Sequence, residues 1–274
     1  MAATSTHWSS RTKRGTVLLG MVHLGPLPGS PRATGHGIER VLAAAQRDAT
    51  ALLEAGFDGW IVENFGDAPF FPGAVPASTV AAMTRIAAAL PRGADSLCGV
   101  NVLRNDALSA LAVAAACGLD FVRVNVHVGA AVTDQGIIEG RAHETMRERA
   151  RWAPDVALLA DVDVKHARPL GTGSQIAESA AEAAGRGLAD GLIVTGKATG
   201  ARIDLHDLRA VRDAVAGVPV LLGSGVTADT VAELLSHADG AIVGTALKLD
   251  GVTTAAVDPK LARAFIAAAR SHAG

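Results

Sequence analysis

The 274-residue chain is 49% hydrophobic and 19% charged, which supplies apolar residues for a sizeable core and does not suit disorder. A formal net charge of −2 and an aromatic content of 3% with no Tyr argue against the basic footprint and stacking platform of a nucleic-acid-binding protein. Gly, His and charges interrupt every apolar run before the roughly 18 residues of a membrane span, and no signal-peptide core opens the chain, so the expectation is a cytoplasmic protein without membrane insertion.

Residues 1–14 are polar and basic and are expected to form a disordered tail, followed by one domain over 15–274. From there, short apolar runs alternate with helical patterns, the signature of βα units and a parallel sheet. The runs fall at 17–23, 57–63, 97–103, 119–125, 156–163, 189–195, 218–222 and 240–243. Helical periodicity follows at 39–55, 78–90, 106–117, 139–152, 174–187, 206–216, 228–236 and 258–271. Eight strands with eight helices make a closed (β/α)8 TIM barrel of the α/β class. The rival, a doubly wound open sheet, carries a Gly-rich turn after its first strand. Here that turn is Gly25-Pro26-Leu27-Pro28-Gly29-Ser30-Pro31, too rich in proline to open a helix. An internal echo supports like units: Ala189-Asp190-Gly191, Ala238-Asp239-Gly240 and Phe57-Asp58-Gly59 each precede an Ile-Val pair.

Barrel enzymes keep their active sites at the C-terminal ends of the strands, so the polar residues that end each apolar run are the candidates. His23, Glu63, Asp161, Asp163 and Lys165 can exchange protons and are the catalytic candidates. Asn64, Asn101, Arg104, Asn105, Arg123, Asn125, His127, His166 and Thr195 are candidates for holding a substrate. Strand alternation predicts that Phe121, Arg123, Asn125 and His127 share one face, as Asp161, Asp163 and Lys165 do. Any one of them could be a solvated loop residue. A ring of such groups in a barrel mouth, however, needs a ligand or a mutual network to satisfy it.

The last three units carry a second pattern. Gly196, Gly223-Ser224-Gly225 and Gly244-Thr245 follow strands six, seven and eight, where this fold commonly holds phosphate. Glycines let backbone N–H groups approach an anion; they would also serve tight βα turns, and the neighbouring hydroxyls favour the anion. Lys197 ends the sixth unit, and Lys248 either assists the phosphate or is solvated. No cofactor is required, and a divalent metal on His23, Glu63, Asp161, Asp163 or His166 is left open because no ligand spacing fixes it. Cys98 and Cys117 are expected to be buried thiols. The Phe70-Phe71 pair suggests a homo-oligomer interface or a cap on the barrel mouth.

These same strings resemble the BtpA/SgcQ family of barrel proteins. The similarity runs through Gly20-Met21-Val22-His23-Leu24-Gly25-Pro26, Val62-Glu63-Asn64-Phe65-Gly66-Asp67, Gly99-Val100-Asn101-Val102-Leu103-Arg104-Asn105-Asp106, Arg123-Val124-Asn125-Val126-His127, Thr133-Asp134-Gln135-Gly136, Asp161-Val162-Asp163-Val164-Lys165-His166 and Val243-Gly244-Thr245. The resemblance implies a ribulose-phosphate-binding type of barrel and carries two functional labels, biogenesis of photosystem I and a nucleosidase of sugar metabolism. Two expectations follow. One is an enzyme acting at the anomeric carbon of a phosphorylated sugar or nucleoside-like substrate; the other is a noncatalytic assembly factor for a membrane complex.

Overall fold

Alternating aliphatic runs extend as strands and the Ala-rich amphipathic stretches between them coil against the outside. In the computed structural model, which describes residues 6–33, 35, 37–163, 168–170, 176–196 and 203–271, the chain begins with helix α1 (Thr6–Arg14). Then come β1 (Val17–His23), α2 (Gly37–Ala55), β2 (Gly59–Glu63), α3 (Ala77–Ala89), β3 (Leu97–Asn101), α4 (Ala107–Cys117) and β4 (Phe121–Val124). A hairpin of β5 (Ala130–Thr133) and β6 (Gly136–Glu139) precedes α5 (Ala142–Trp152), β7 (Ala157–Val162) and the short β8 (Arg168–Pro169). The chain continues with α6 (Ile176–Gly185), β9 (Gly191–Val194), α7 (Leu205–Ala214), β10 (Val220–Leu222), α8 (Val231–Leu235), β11 (Gly240–Val243) and α9 (Pro259–Arg270).

Eight strands close a barrel in the order β1-β11-β10-β9-β7-β4-β3-β2, every pair parallel. This is the expected architecture. Alternation along each strand divides the core in two. Outward residues such as Val22, Trp60, Val62, Val100 and Val122 pack under the helices, while Leu19, Met21, Ile61, Leu97, Phe121, Leu159, Ile193, Leu221 and Ile242 fill the interior.

The barrel floor departs from expectation. Residues 6–14 are a helix, not a disordered tail, and Trp8 is only 1% exposed. Its indole joins the interior cluster and meets Phe121 with ring centroids 5.5 Å apart. Space for the two rings comes from missing side chains. A Cβ on Gly99 would lie 2.2 Å from Phe121 Cε2, and one on Gly191 would lie 3.2 Å from Trp8 Cζ2. With a single large apolar residue in an otherwise polar stretch, the helix carried no periodicity that a sequence reading could detect.

The echo of Asp residues has a structural cause. Asp58, Asp120, Asp190 and Asp239 stand just before β2, β4, β9 and β11. Their carboxylates accept hydrogen bonds from the backbone N–H groups of Leu18 (2.8 Å), Cys98 (2.7 Å), Leu158 (2.8 Å) and Val220 (2.8 Å) at the starts of the neighbouring strands. In each case the Asp backbone N–H donates to the same residue's carbonyl. Helix α1 uses this ring as its dock: Arg11 pairs with Asp58 at 2.5 Å, His7 Nδ1 with Asp120 at 2.6 Å, and Trp8 Nε1 donates to the Asp190 carbonyl at 3.1 Å.

The hairpin is a second addition. Ala131 and Ile138 face each other and bury against Val126, while the facing pair Val132 and Ile137 is exposed. A helix was expected from residue 139; α5 starts at Ala142 instead, because Glu139 ends the antiparallel ladder of the hairpin.

Removing a buried Trp ring costs about 3–5 kcal/mol. Trp8→Ala is therefore expected to lower the melting temperature by on the order of 10 °C in a thermal denaturation experiment. An unchanged melting temperature would show that α1 does not plug the barrel.

Candidate functional site

The register of the barrel aligns the inward ends of four strands. His23 pairs with Glu63, Glu63 with Asn101, and Asn101 with Arg123, so one row of polar side chains replaces the apolar layer beneath it. On the neighbouring strand, β7, Asp161 completes the row. It accepts Arg123 Nη2 at 2.9 Å on one oxygen, and Arg123 Nε at 3.2 Å and Asn125 Nδ2 at 2.6 Å on the other. The Asp161 side chain is 0% exposed. Burial works against the Arg123 charge, but the Asp161 and Glu63 carboxylates outweigh it and hold the guanidinium pKa above its ordinary value.

Glu63 is anchored on one oxygen by Asn101 Nδ2 at 2.7 Å. Its other oxygen stands 3.8 Å from His23 Nε2, beyond hydrogen-bond range. His23 Nδ1 lies 3.2 Å from the Thr253 carbonyl, an acceptor, which places a proton on Nδ1 and turns Nε2 toward the carboxylate. The ring also packs on Phe65, with centroids 4.8 Å apart.

Above this row opens a cavity of about 980 Å³, at the upper end of the usual range for small-molecule sites. Its lining includes His23, Glu63, Arg104, Arg123 and Asn125 on one side and Gly223, Ser224, Gly225, Gly244 and Thr245 on the other. Gly225 adopts φ 75°, a conformation that other residues rarely take. The Ser224 hydroxyl is buried without a partner among the described residues. The Gly223 N–H is already committed to the Val194 carbonyl at 2.7 Å, so that residue offers the cavity no donor. The Thr245 and Thr253 hydroxyls bond each other at 2.9 Å.

Other candidates stand elsewhere. Asn64 accepts the Leu103 N–H at 2.7 Å and Asn105 clamps Val126 through its N–H (2.8 Å) and carbonyl (2.9 Å), so both hold loops. Asn101 reaches the cavity only through Glu63. Thr195 is half-buried, its Oγ1 unpartnered among the described residues, and its methyl packs where a Cβ on Gly223 would sit, 2.6 Å away. Gly196 is buried and does not line the cavity. Asp163 takes φ 51° and turns its carboxyl to Ser179, away from Asp161, because the strand ends at Val162 and the alternation with it. Lys165, His166 and Lys197 lie outside the described residues. Lys248 is neither solvated nor at the phosphate loops: it is buried, donating from Nζ to Asp48 at 2.6 Å. Among the described residues no group of three or more His, Cys, Asp and Glu side chains could hold a metal ion. The Cys98 thiol is buried and pushed up to about 12, which keeps it protonated and unreactive.

Sequence reading missed the roof. Val132, Thr133 and Asp134 of the hairpin, with Phe65, Phe70, Gly251 and Thr253, also line the cavity; the visible signals were the Thr133-Asp134-Gln135-Gly136 string and the aromatic pair read as a possible cap. Of the aromatic pair, Phe70 faces the cavity and Phe71 is 51% exposed.

His127 was expected in the barrel mouth with Arg123 and Asn125. Because β4 ends at Val124, its ring instead joins an outer cleft with Met146, Arg147 and Arg186, where Nε2 bonds the Gly187 carbonyl at 2.8 Å. Burial lowers its pKa, against the Gly187 carbonyl that raises it, and the Arg149 cation adds to the lowering. The unfolded chain thus takes up this proton at a higher pH than the folded one. Stability from this residue is fully present above about pH 6.5 and is lost as pH falls from there toward the folded-state pKa. His127→Gln keeps a donor for the carbonyl and removes the titration. Its melting temperature should fall less than the parent's between about pH 7.5 and about pH 5.5; equal falls would contradict this placement.

The geometry can be set beside known proteins. A cyanobacterial relative from Synechocystis, named photosystem I biogenesis protein BtpA, is 48% identical over 251 residues, covering 92% of this chain and 87% of that one. An uncharacterized protein of Thermococcus kodakarensis is 45% identical over 92% of this chain and 95% of its own. Among solved structures, the thiamine phosphate pyrophosphorylase of Pyrococcus furiosus superposes with a TM-score of 0.60 at 19% identity, covering 96% of this chain and 100% of that one. The phosphoribosyl anthranilate isomerase of Thermus thermophilus gives 0.54 at 14% identity, over 93% and 99%. These likenesses show a shared barrel fold. The family model of the BtpA family matches residues 14–271, and the chain belongs to that family.

Proposed function

We propose that this protein is an enzyme acting at the anomeric carbon of a phosphorylated sugar or nucleoside-like substrate. The observation that carries the reading is one cavity lined both by the Glu63 and His23 pair and by the Ser224, Gly225, Gly244 and Thr245 loops. The loops would hold the phosphate, and Arg104 would steer the anion. Glu63 is the carboxylate candidate that lines the cavity among the described residues, and it would stabilise positive charge developing at the anomeric carbon. His23, oriented by the Thr253 carbonyl through Nδ1, would take up a second proton at Nε2 and deliver it to the leaving atom. Asp161 serves as a positioning residue, since both its oxygens are occupied by Arg123 and Asn125.

A second reading follows the name of the Synechocystis relative: an assembly factor for a membrane complex, without chemistry of its own. The exposed apolar side chains Val132, Ile137 and Leu170 favour it, and among the described residues no helix is long and apolar enough to cross a membrane.

The test is a product screen with ribose 5-phosphate, nucleosides and nucleoside monophosphates, read by mass spectrometry. With a substrate in hand, Glu63→Gln is expected to lower kcat/KM by on the order of 10²- to 10⁴-fold with an unchanged melting temperature. Asp161→Ala strands a buried guanidinium and is expected to cost about 3–5 kcal/mol of stability. Full turnover in Glu63→Gln would refute the assignment. No turnover by the parent protein, combined with full biological complementation by Glu63→Gln, would favour the assembly factor.

A further inference from the structure

The Asn125 carboxamide has one end committed and one end open. An amide's nitrogen and oxygen are told apart by what they meet. The atom 2.6 Å from Asp161 Oδ2 faces a carboxylate that already accepts two Arg123 donors, so it is the NH2 group, Nδ2. That leaves Oδ1 on the other side. Asn125 is 4% exposed and lines the cavity, and its Oδ1 is buried with no partner among the described residues. A buried acceptor left unmade is costly, and an apolar side chain of the same shape would avoid the cost. Arg123 directs its Nε and one N–H of Nη2 at Asp161, and none of its donors reaches Asn125 Oδ1.

We infer that Asn125 is a specificity-determining residue whose carboxamide oxygen accepts a hydrogen bond from a hydroxyl or N–H of the bound ligand. The inference rests on the reading of the cavity as a site for a phosphorylated substrate, and it narrows the substrate class. Ser224 and the glycine loops suit an anion, whereas the Asn125 oxygen repels one. A ligand that fits both carries its phosphate on the β10 and β11 side and a donor group on the β4 and β7 side, as a phosphorylated polyol, sugar or nucleoside does. A phosphorylated acid with its carboxylate directed at Asn125 is disfavoured.

The experiment is calorimetric titration of the full chain with D-ribose 5-phosphate, which carries hydroxyl donors, and with n-butyl phosphate, which carries none. In the parent protein the sugar phosphate should bind at least about tenfold more tightly, the worth of one good buried hydrogen bond. Asn125→Leu should bind butyl phosphate as the parent does and lose most of that preference. Asn125→Ala provides the same comparison if the Leu variant does not fold, and Arg123 still holds Asp161 in both. An undiminished preference in the variants would overturn the role of Asn125 while leaving the phosphate site standing. Failure of the parent to bind either ester would overturn the phosphate reading itself, and this inference with it.

Discussion

Register is the constraint on which the rest of this barrel depends. A slip of one residue in any strand exchanges its inward and outward faces, and the inward face here holds both the apolar core and the polar mouth. The four aspartates at the barrel floor oppose such a slip. Each grips the first residues of the neighbouring strand by two hydrogen bonds, from a carboxylate oxygen and from its own N–H, as Asp58 does with Leu18 and Asp190 with Leu158. With the strands fixed from below, Glu63, Asn101 and Arg123 fall into line above. Trp8 and Phe121 fill the floor, so the cavity opens at the opposite end.

Buried charge is used differently in the mouth and outside it. Lys248 with Asp48 of α2, and Arg149 of α5 with Asp190 at the barrel floor, are buried ion pairs. Burial lowers the Lys248 pKa against the pull of Asp48, as expected where desolvation competes with Coulomb attraction. Asp48 also accepts the Val257 N–H at 2.9 Å, so this pair ties the segment after β11 to α2. That segment includes Thr253, whose carbonyl orients His23. In the mouth, by contrast, Arg123 and Asp161 neutralise each other and leave Glu63 with one oxygen toward Asn101 and the other toward His23. The network thus separates a carboxylate locked for positioning from one that faces the cavity.

Much of this was legible in the sequence. Glu63, Arg123 and Asp161 end apolar runs within strands, and period-two alternation sends them inward, whereas Ser224 and Thr245 reach the cavity from the loops just past β10 and β11. Past the strand ends the inference weakens: Asn125, one residue beyond Val124, still lines the cavity, but His127 and, beyond Val162, Asp163 turn away. Helix α1 was hidden because its single anchor, Trp8, leaves no pattern. The hairpin was hidden because one face, Val132 and Ile137, is exposed and its strands are short. Lys248 was legible only as a phosphate partner or a solvated cation, because its actual partner, Asp48, is 200 residues away in sequence. The echo around Asp58, Asp190 and Asp239 was visible, but Asp120 escaped notice because Phe121 stands in the place of the glycine that follows the other three.

On the proposed reading, the polar row and the glycine loops hold one ligand together. A crystal structure of the protein soaked with D-ribose 5-phosphate tests it most directly. The phosphate is expected against Ser224, Gly225 and Thr245, with the sugar ring over Glu63 and a hydroxyl on Asn125 Oδ1. A phosphate bound away from those loops, or a sugar directed out of the barrel with Glu63 untouched, would contradict it.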